Sequence, residues 1–348
     1  MTGITAHLPL SRLACTLALS LSFGLGSASA DTENYAERED VQAFISDLSA
    51  RHGFDAGQLS RTIGQAQKLP RVISLITPPT KRGVRSWERY RSRFIERIRI
   101  ERGLDFWDEY APILQAAEER YGVPAEIIVA IIGVETVYGR HTGNFETLSA
   151  LTTLAFDYPP RADLFRRELE QLFLLAREQG REPTSYSGSY AGALGYPQFL
   201  PSSMRAYAVD FDANGVIDFE DNPLDAIGSV ANYLHAHGWQ PQAPVAVRAR
   251  LSLDASPAPL VAAGIEPTLS ADTLRDAGIT AADGEAVTAP VTLVDLETPG
   301  ADVEYWLGYR NFYVITRYNR SSFYAMSVFE LAQTIRARRL ALNLAVSG

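Results

Sequence analysis

The chain has 348 residues, 46% of them hydrophobic and 21% charged, and a formal net charge of −9. This composition is typical of a globular protein built as one large domain or as two to three smaller ones. The acidic balance argues against nucleic acid and anionic lipid as main partners, because the overall field of the protein would attract neither.

The N-terminus has the features of an export signal. Arg12 precedes an apolar stretch over residues 13–25, and residues 28–30, Ala-Ser-Ala, supply the small side chains after which a signal peptidase cleaves. A membrane anchor is the disfavoured alternative, because the stretch is shorter than the roughly 20 residues of a spanning helix and is interrupted by Ser and Gly. We expect residues 1–30 to be removed and Asp31 to begin a periplasmic chain without a membrane anchor.

The single cysteine, Cys15, lies within this predicted signal. The residues before it lack the apolar side chain that a lipoprotein signal places three positions before its cysteine, so Cys15 is expected to leave with the signal. The mature chain then depends on packing rather than on disulfides. Loss of Arg12 takes the formal charge from −9 to −10.

Apolar residues recur at helical spacing from Asp40 to about Gly238. Capping and breaking residues place the helix ends. The expected helices begin with a stripe of Val41, Phe44, Ile45 and Leu48, and include one that starts after Ser86 and continues through Phe94 and Ile98, one from Pro124 to Glu135, and one over 164–176 before Gly180.

The pattern changes after about Pro241. Short alternating stretches such as 245–251 and 291–294 are punctuated by Pro, Gly and Asp up to about Tyr313, which predicts a small strand-rich insert. A Tyr-rich segment, 309–319, follows, and the chain closes with a helix.

The apolar run that begins at Ile127 contains one carboxylate, Glu135, near its end. Glu135 comes three and four residues after Ile132 and Ile131, so it projects from the same side as part of the apolar stripe. Burial would raise the pKa of this carboxyl group, which suits a general acid working near neutral pH. The alternatives are a structural glutamate paired with an arginine such as Arg140, or a glutamate that reaches solvent at the helix end.

The segment 188–203, GSYAGALGYPQFLPSS, sets polar groups among small and aromatic residues. Such a segment can bring backbone N–H and C=O groups close to a ligand, and Gln198 can both donate and accept hydrogen bonds. The alternative is an ordinary Gly-rich loop.

The segment 210–221, DFDANGVIDFED, follows the pattern of a calcium loop. Oxygen-bearing side chains occupy the first, third, fifth and ninth positions, and glycine occupies the sixth. The twelfth position is Asp221, whose reach for bidentate ligation is shorter than that of glutamate, and Asp225 could supply the missing ligand. The alternative is a solvated acidic turn.

Tyrosines near the C-terminus could line a sugar groove, because an aromatic ring packs on the apolar face of a pyranose and the phenol bonds a hydroxyl. Taken singly, each fits a core or sheet position better. They are Tyr305, Tyr309, Tyr313, Tyr318 and Tyr324.

Other catalytic classes find no support in the sequence. It has no Gly-x-Ser-x-Gly elbow and no phosphate-binding loop, and its five histidines show no metal-ligand pairing at helical spacing.

Three long segments together resemble the lytic murein transglycosylase B family. They are IIGVETVYGRHTGNFETLSALTTLAFDYPPRADLFRREL, GSYAGALGYPQFLPSSMRAYAVDFDANGVIDFEDNPLDAIGSVANYLHAHGW and NFYVITRYNRSSFYAMSV. The resemblance extends from about Trp87 to about Gly238 and again from Asn311 to Val328.

The resemblance implies a mainly α (α+β) fold with a lysozyme-like helical catalytic core. The expected parts are a signal peptide at 1–30, a flanking helical part at 31–120, the catalytic core at 121–240 with its calcium loop at 210–225, a small β-rich subdomain at 241–310, and a C-terminal segment at 311–348 that completes the core.

The resemblance also implies functional residues. The catalytic acid of the family corresponds to Glu135. Substrate-groove residues correspond to Tyr90, Ser189, Gln198, Tyr233, Tyr318 and Tyr324, and the calcium ligands to Asp210, Asp212, Asn214, Val216 through its carbonyl, and Asp225. The chain departs from the family pattern at Pro197, where relatives often have a small residue, and at Asn222, which lengthens the calcium loop by one residue.

The implied activity is cleavage of the β-1,4 bond between N-acetylmuramic acid and N-acetylglucosamine in peptidoglycan glycan strands, without water, leaving a 1,6-anhydromuramoyl end. One carboxyl group suffices when the N-acetyl group of the sugar stabilises the cationic centre. We expect a monomer that needs no catalytic cofactor and binds structural Ca²⁺. The alternatives are a hydrolytic muramidase on the same fold and an inactive peptidoglycan-binding module.

Overall fold

The computed structural model describes residues 34–79 and 83–347. The predicted signal peptide, with Arg12, Cys15 and the expected cleavage site before Asp31, lies outside the described residues. Within them the chain is mainly α-helical. The helices are α1 Glu39–His52, α2 Ala56–Ile63, α3 Pro70–Ile76, α4 Trp87–Arg91, α5 Arg97–Glu109, α6 Ala111–Tyr121, α7 Ala125–Thr136, α8 Thr147–Asp157, α9 Ala162–Gln179, α10 Pro201–Tyr207, α11 Pro223–Ala236, α12 Ala258–Ala262, α13 Ala271–Asp276, α14 Arg310–Tyr318 and α15 Ser322–Ser347.

Helix α7 lies at the centre of the helical core. Its residues from Ile127 to Ile132 are buried on every side, and it packs against α5, α6, α11 and α15. A helix that is apolar all round belongs in the interior, because no face of it gains from contact with water. Glu135, one residue before the end of α7, is therefore held by a helix that the rest of the fold surrounds.

The charged helix expected from Ser86 through Ile98 is wrong as a single helix. Helix α4 ends at Arg91, and α5 begins after Glu96. The Glu96 carboxylate accepts hydrogen bonds from the backbone N–H groups of Ile98 and Arg99, each at 2.7 Å. This side chain caps the start of a new helix, which competes with continuation of the first.

The helix expected before Gly180 extends further than its apolar stripe. It covers Ala162–Gln179, and Gly180 follows with φ of +62°, in the left-handed conformation that ends helices. Helix α9 packs its stripe, which includes Phe165 and Leu169, against α8.

Two small antiparallel sheets complete the described fold. Strands β1 Phe145–Glu146 and β2 Ser187–Gly188 pair with each other. The larger sheet has the order β4-β3-β6-β5, with strands β3 Ala246–Leu251, β4 Ile279–Ala281, β5 Thr292–Leu296 and β6 Glu304–Gly308.

The larger sheet has an apolar cluster of its own. Leu293 lies opposite Leu307 in the β5–β6 ladder, and both are buried with Ile279 and Val291. The strand-rich pattern expected up to about Tyr313 ends earlier, at Gly308. Helix α14 begins at Arg310, since apolar residues at helical spacing in this segment enter the main core.

The described residues contain no helix that is both long enough and apolar enough to cross a bilayer.

Candidate active site

Glu135 lies near the C-terminal end of α7 with its carboxyl group enclosed by protein atoms, although the residue keeps part of its surface exposed. Tyr324 of α15 donates a hydrogen bond from Oη to Glu135 Oε1 at 2.6 Å. Arg140 makes no ion pair with Glu135 among the described residues, so the alternative of a structural Glu–Arg pair does not hold. Within residues 34–79 and 83–347, the carboxyl group thus has a phenol, and no charged group, as its hydrogen-bond partner.

Burial raises the pKa of Glu135 from 4.5 to about 7, because desolvation disfavours the carboxylate, and the hydrogen bond from Tyr324 lowers it in part. A carboxyl group with this pKa holds a proton near neutral pH and can also release it. Both properties are what a general acid and base needs.

Two further tyrosines lie close enough to this carboxyl group for its charge to affect their pKa, and a third packs against one of them. Tyr318 is enclosed, and both burial and the charge of Glu135 raise its pKa well above 10. Burial and the same charge raise the pKa of Tyr90. The ring of Tyr233 lies 4.8 Å from that of Tyr318. Of the predicted groove tyrosines, Tyr90, Tyr318 and Tyr324 are therefore brought together around Glu135, and Tyr233 packs against Tyr318.

The phenol groups of two of these tyrosines are engaged with backbone carbonyls. Tyr318 donates to the carbonyl of Pro197 at 3.0 Å, and Tyr233 donates to the carbonyl of Arg317 at 2.8 Å. These contacts fix the rings and tie α14 to the segment that carries Gln198. Pro197, which departs from the family pattern, offers its carbonyl to this contact.

Gln198 adopts a positive φ of 52°, which is uncommon for a side chain of this size. Its Nε2 donates to the carbonyls of Thr142 and Gly195, at 3.0 Å and 2.9 Å. Both amide protons are thus engaged, and a ligand at this residue would meet the Oε1 acceptor. In Ser189, Oγ accepts from the N–H of Ala193 at 3.1 Å, which leaves its hydroxyl proton to donate.

The loop at 210–225 brings three carboxylates together. Asp210, Asp212 and Asp225 each place a carboxylate oxygen within 4.8 Å of the others. Asp225 is buried at the start of α11, where desolvation first and the charge of Asp212 in addition raise its pKa. Such convergent oxygen ligands fit a hard cation such as Ca²⁺, whose charge would offset the repulsion among them.

The remaining loop residues differ in whether they contact the rest of the loop. Asn214 accepts a hydrogen bond from the N–H of Val216 at 2.8 Å, so both stay within the loop. Asn222 donates from Nδ2 to Asp212 Oδ2 at 2.9 Å and caps α11 by accepting from the N–H of Leu224. Asp221 is exposed and lies outside the carboxylate cluster. The extra residue, Asn222, therefore braces Asp212 and begins the helix that carries Asp225.

Comparison with known proteins decides the family. The family described as "Transglycosylase SLT domain" matches residues 36–333. Membrane-bound lytic murein transglycosylase B of Escherichia coli (strain K12) is 42% identical over 316 residues, which cover 88% of this chain and 85% of the relative. This chain belongs to the lytic murein transglycosylase B family. It is an enzyme by this membership, and the resemblance found in the sequence is confirmed.

Solved structures agree with this lytic transglycosylase fold. Soluble lytic transglycosylase SltB1 from Pseudomonas aeruginosa is 48% identical, with a TM-score of 0.79 over 86% of this chain and 99% of that chain. The Escherichia coli lytic transglycosylase Slt35, solved in complex with calcium, is 42% identical, with a TM-score of 0.77 over 89% of this chain and 95% of that chain. The predicted mainly α, lysozyme-like fold class is confirmed.

The sequence alone did not single out the turn that follows the catalytic helix of this transglycosylase. Val137 and Tyr138 both have positive φ, 52° and 58°, which is strained for residues with a side chain and most of all for a β-branched one. The turn is held because Thr136 Oγ1 accepts from the N–H of Gly139 at 2.9 Å. It ends α7 one residue after Glu135.

Two glycines make room for this turn. A Cβ on Gly133 or on Gly103 would lie 2.4 Å from Tyr138 Oη, so the ring occupies a notch between α7 and α5. Arg99 of α5 donates from Nε to the carbonyl of Gly133 at 2.8 Å. A glycine at the facing position of another helix is visible only in the fold, which is why the sequence pattern did not reveal Tyr138.

The other candidate tyrosines lie elsewhere. Tyr305 is on β6, and Tyr309 is buried in the cluster of the larger sheet. Tyr313 accepts a hydrogen bond from Arg317 at 3.5 Å on α14. Of the five C-terminal tyrosines, Tyr318 and Tyr324 are the ones whose pKa the Glu135 charge affects.

Proposed function

We propose that this protein cleaves the β-1,4 bond between N-acetylmuramic acid and N-acetylglucosamine in peptidoglycan and leaves a 1,6-anhydromuramoyl end, with Glu135 as its single acid and base. The observation that carries the proposal is the enclosed carboxyl group of Glu135, whose pKa is raised to about 7. Such a group can donate a proton in one step and accept one in the next.

The surroundings of Glu135 favour a mechanism with one carboxyl group. Among the described residues, burial and Tyr324 account for its pKa, and no second carboxyl group contributes. Glycosidases that use two acids place them about 5–9.5 Å apart. At that distance a second charge in an enclosed site would raise the pKa further. The N-acetyl group of the sugar is therefore the proposed stabiliser of the cationic centre.

The proposed reaction has two proton transfers through Glu135. In the first, its carboxyl proton moves to the glycosidic oxygen as the bond from that oxygen to C1 of the muramoyl sugar breaks. In the second, the carboxylate takes the proton of the C6 hydroxyl while the C6 oxygen forms the new bond to C1. Tyr324 stabilises the carboxylate between the two transfers, because its phenol donates to Oε1.

The residues around Glu135 have distinct proposed tasks. Tyr90, Tyr233 and Tyr318 form aromatic walls of the groove, and the hydrogen bonds of the last two to backbone carbonyls fix those walls. Ser189 donates and Gln198 accepts at sugar hydroxyl or N-acetyl groups. Fixed walls matter because a misplaced sugar would leave the C6 hydroxyl unable to attack.

The known relatives support the substrate. SltB3 from Pseudomonas aeruginosa is 28% identical, with a TM-score of 0.74 over 87% of this chain and 80% of that chain, and was solved with NAG-NAM-pentapeptide. We extend this substrate class to the present chain and place its action in the periplasm. The export signal expected at residues 1–30 would deliver it there, without a membrane anchor in the mature protein.

Calcium has a structural role in this proposal. Asp210, Asp212 and Asp225 would bind Ca²⁺ through carboxylate oxygens, and Asn214 and the carbonyl of Val216 would complete the ligand set. The cation would hold the start of α11, the helix that carries Tyr233. It takes no part in bond cleavage.

An isotope experiment tests the reaction. We expect sacculi digested in ¹⁸O-labelled water to give fragments with an unlabelled anhydromuramoyl end, because the attacking oxygen belongs to the substrate. An oriented internal hydroxyl reaches an effective molarity on the order of 10⁵ M, against about 55 M for water. Label at a new muramoyl reducing end would overturn the proposal in favour of a hydrolytic muramidase. Binding to sacculi without release of fragments would identify an inactive binding module.

A further inference from the structure

A cleft adjoins the residues proposed to bind the glycan. It has a volume of about 520 Å³. The loop that follows α7 forms one side through Arg140, His141, Asn144 and Phe145, and Ser189 and Tyr190 form the other. Because Ser189 is also a proposed glycan contact, a group attached to a bound sugar can enter this cleft.

The loop that lines the cleft is fixed at both ends. Gly139 has a φ of +82°, and a Cβ there would lie 2.3 Å from the ring of Tyr196. Gly143 has a φ of +97°, and a Cβ there would lie 2.1 Å from the carbonyl oxygen of Gly188. Gln198 donates to the carbonyl of Thr142 between them at 3.0 Å. A loop held in this way presents its side chains without a large loss of entropy on binding.

The charge of the cleft is positive on an otherwise acidic protein. Arg140 is exposed, and its guanidinium forms neither a hydrogen bond nor an ion pair with the part of the chain that the structure describes. None of the residues that line the cleft is an acid. An arginine with no protein partner retains its full capacity for a bidentate contact with a carboxylate.

We propose that Arg140 binds a carboxylate of the stem peptide attached to the muramoyl sugar. This inference rests on the proposed function and adds the part of the substrate that the cleft recognises. In peptide-bearing glycan strands the lactyl carboxyl of the muramoyl sugar is consumed in an amide bond and the sugars are neutral. The carboxylates of the peptides are then the anions available to Arg140. Tyr190 and Phe145 provide apolar contact for the peptide chain beside the charge.

The test compares two forms of one substrate. Glycan strands that carry peptides and the same strands after an amidase has removed the peptides are digested by the wild-type enzyme, Arg140→Gln and Arg140→Lys. Arg275→Gln is the matched control, since it removes the same charge from an exposed arginine of α13. Thermal melts establish that each variant is folded.

On peptide-bearing strands we expect Arg140→Gln to lower kcat/KM roughly three- to fivefold, mainly through KM, which is the upper range for the loss of one exposed ion pair. Arg140→Lys should retain part of the activity, and added salt should shrink the difference between wild type and Arg140→Gln. On stripped strands, which carry free lactyl carboxylates, the kcat/KM of Arg140→Gln should match that of the wild type within about twofold. The kcat/KM of the control Arg275→Gln should match that of the wild type within about twofold on both substrates.

Two results would overturn the inference. An equal loss on both substrates would show that Arg140 contacts the glycan or its lactyl carboxylate, and no loss on peptide-bearing strands would show that it contacts neither. The proposed function fails separately, since its failure appears in the wild-type products as a muramoyl reducing end in place of the anhydro end.

Discussion

Glu135 and the 210–225 loop hold carboxyl groups that differ in how many other acids lie beside them. Glu135 is a single carboxyl group enclosed by tyrosines and apolar side chains, and burial raises its pKa to about 7. Asp210, Asp212 and Asp225 form a cluster in which each carboxylate meets the charge of the others. An isolated buried carboxyl group relieves its desolvation by binding a proton, whereas a cluster of three relieves its repulsion by binding a cation. The number of neighbouring acids therefore separates the proposed catalytic site from the proposed cation site.

The largest effect is expected at the isolated carboxyl group. Glu135→Gln keeps the shape of the side chain but removes the transferable proton, so muropeptide release should fall by at least about 10² to 10⁴-fold. The control is Glu126→Gln, the same change in the first turn of the same helix, where the carboxylate pairs with Arg336. Release of anhydromuropeptides from sacculi measures both. Substantial activity in Glu135→Gln would mean that another group supplies the proton.

The carboxylate cluster should respond to a cation and leave the chemistry unchanged. Calcium at 100 times its dissociation constant should add about 2.7 kcal/mol to the free energy of unfolding of the native protein, visible as a rise in Tm. Asp210→Ala should abolish this rise. Asp221→Ala should preserve it, because Asp221 is exposed outside the cluster. A Tm that does not change between calcium and chelator would leave the loop as a solvated acidic turn.

The smallest expected effect concerns the hydrogen bond from Tyr324 and its influence on the pKa of Glu135. Tyr324→Phe removes the phenol that stabilises the carboxylate, so the pKa of Glu135 should rise further above 4.5. Since the first proton transfer needs the acid form, the alkaline limb of the pH–rate profile should move to higher pH. The rate at the optimum should fall roughly three- to tenfold, the net value of one typical hydrogen bond. Tyr305→Phe, on β6, is the control. An unmoved alkaline limb would separate Tyr324 from the titration of Glu135.

The sequence predicts the helical elements better than their interruptions. The run to Glu135 and the end of α9 at Gly180 follow from periodicity and capping, because both are local properties. The break between α4 and α5 does not, since it depends on the Glu96 side chain bonding to the backbone in place of helix continuation. A periodic pattern contains no information about that competition.

Prediction of the candidate site from the sequence has the same limit: local patterns are predicted, and contacts between distant residues are not. Oxygen-bearing residues at fixed spacing indicate the carboxylate cluster, and the structure adds that Asp225 rather than Asp221 lies within it. The contact between Tyr324 and Glu135 joins residues 189 positions apart. The sequence indicated Tyr324 as a groove residue but not its hydrogen bond to Glu135. The notch for Tyr138 needs Gly103 from another helix. Contacts of this kind are properties of the packed chain.

The separation of Tyr324 from Glu135 along the chain also sets the time that passes between synthesis of the two residues. Translation proceeds at about 5–20 residues per second, so the 189 positions between the two residues correspond to roughly 10 to 40 s of synthesis. During that interval the acid exists without the phenol that bonds it and without the helix that encloses it. The surroundings of Glu135 are thus complete only once α15 has been made, and a chain that stops before Ser322 lacks the phenol that bonds this carboxyl group.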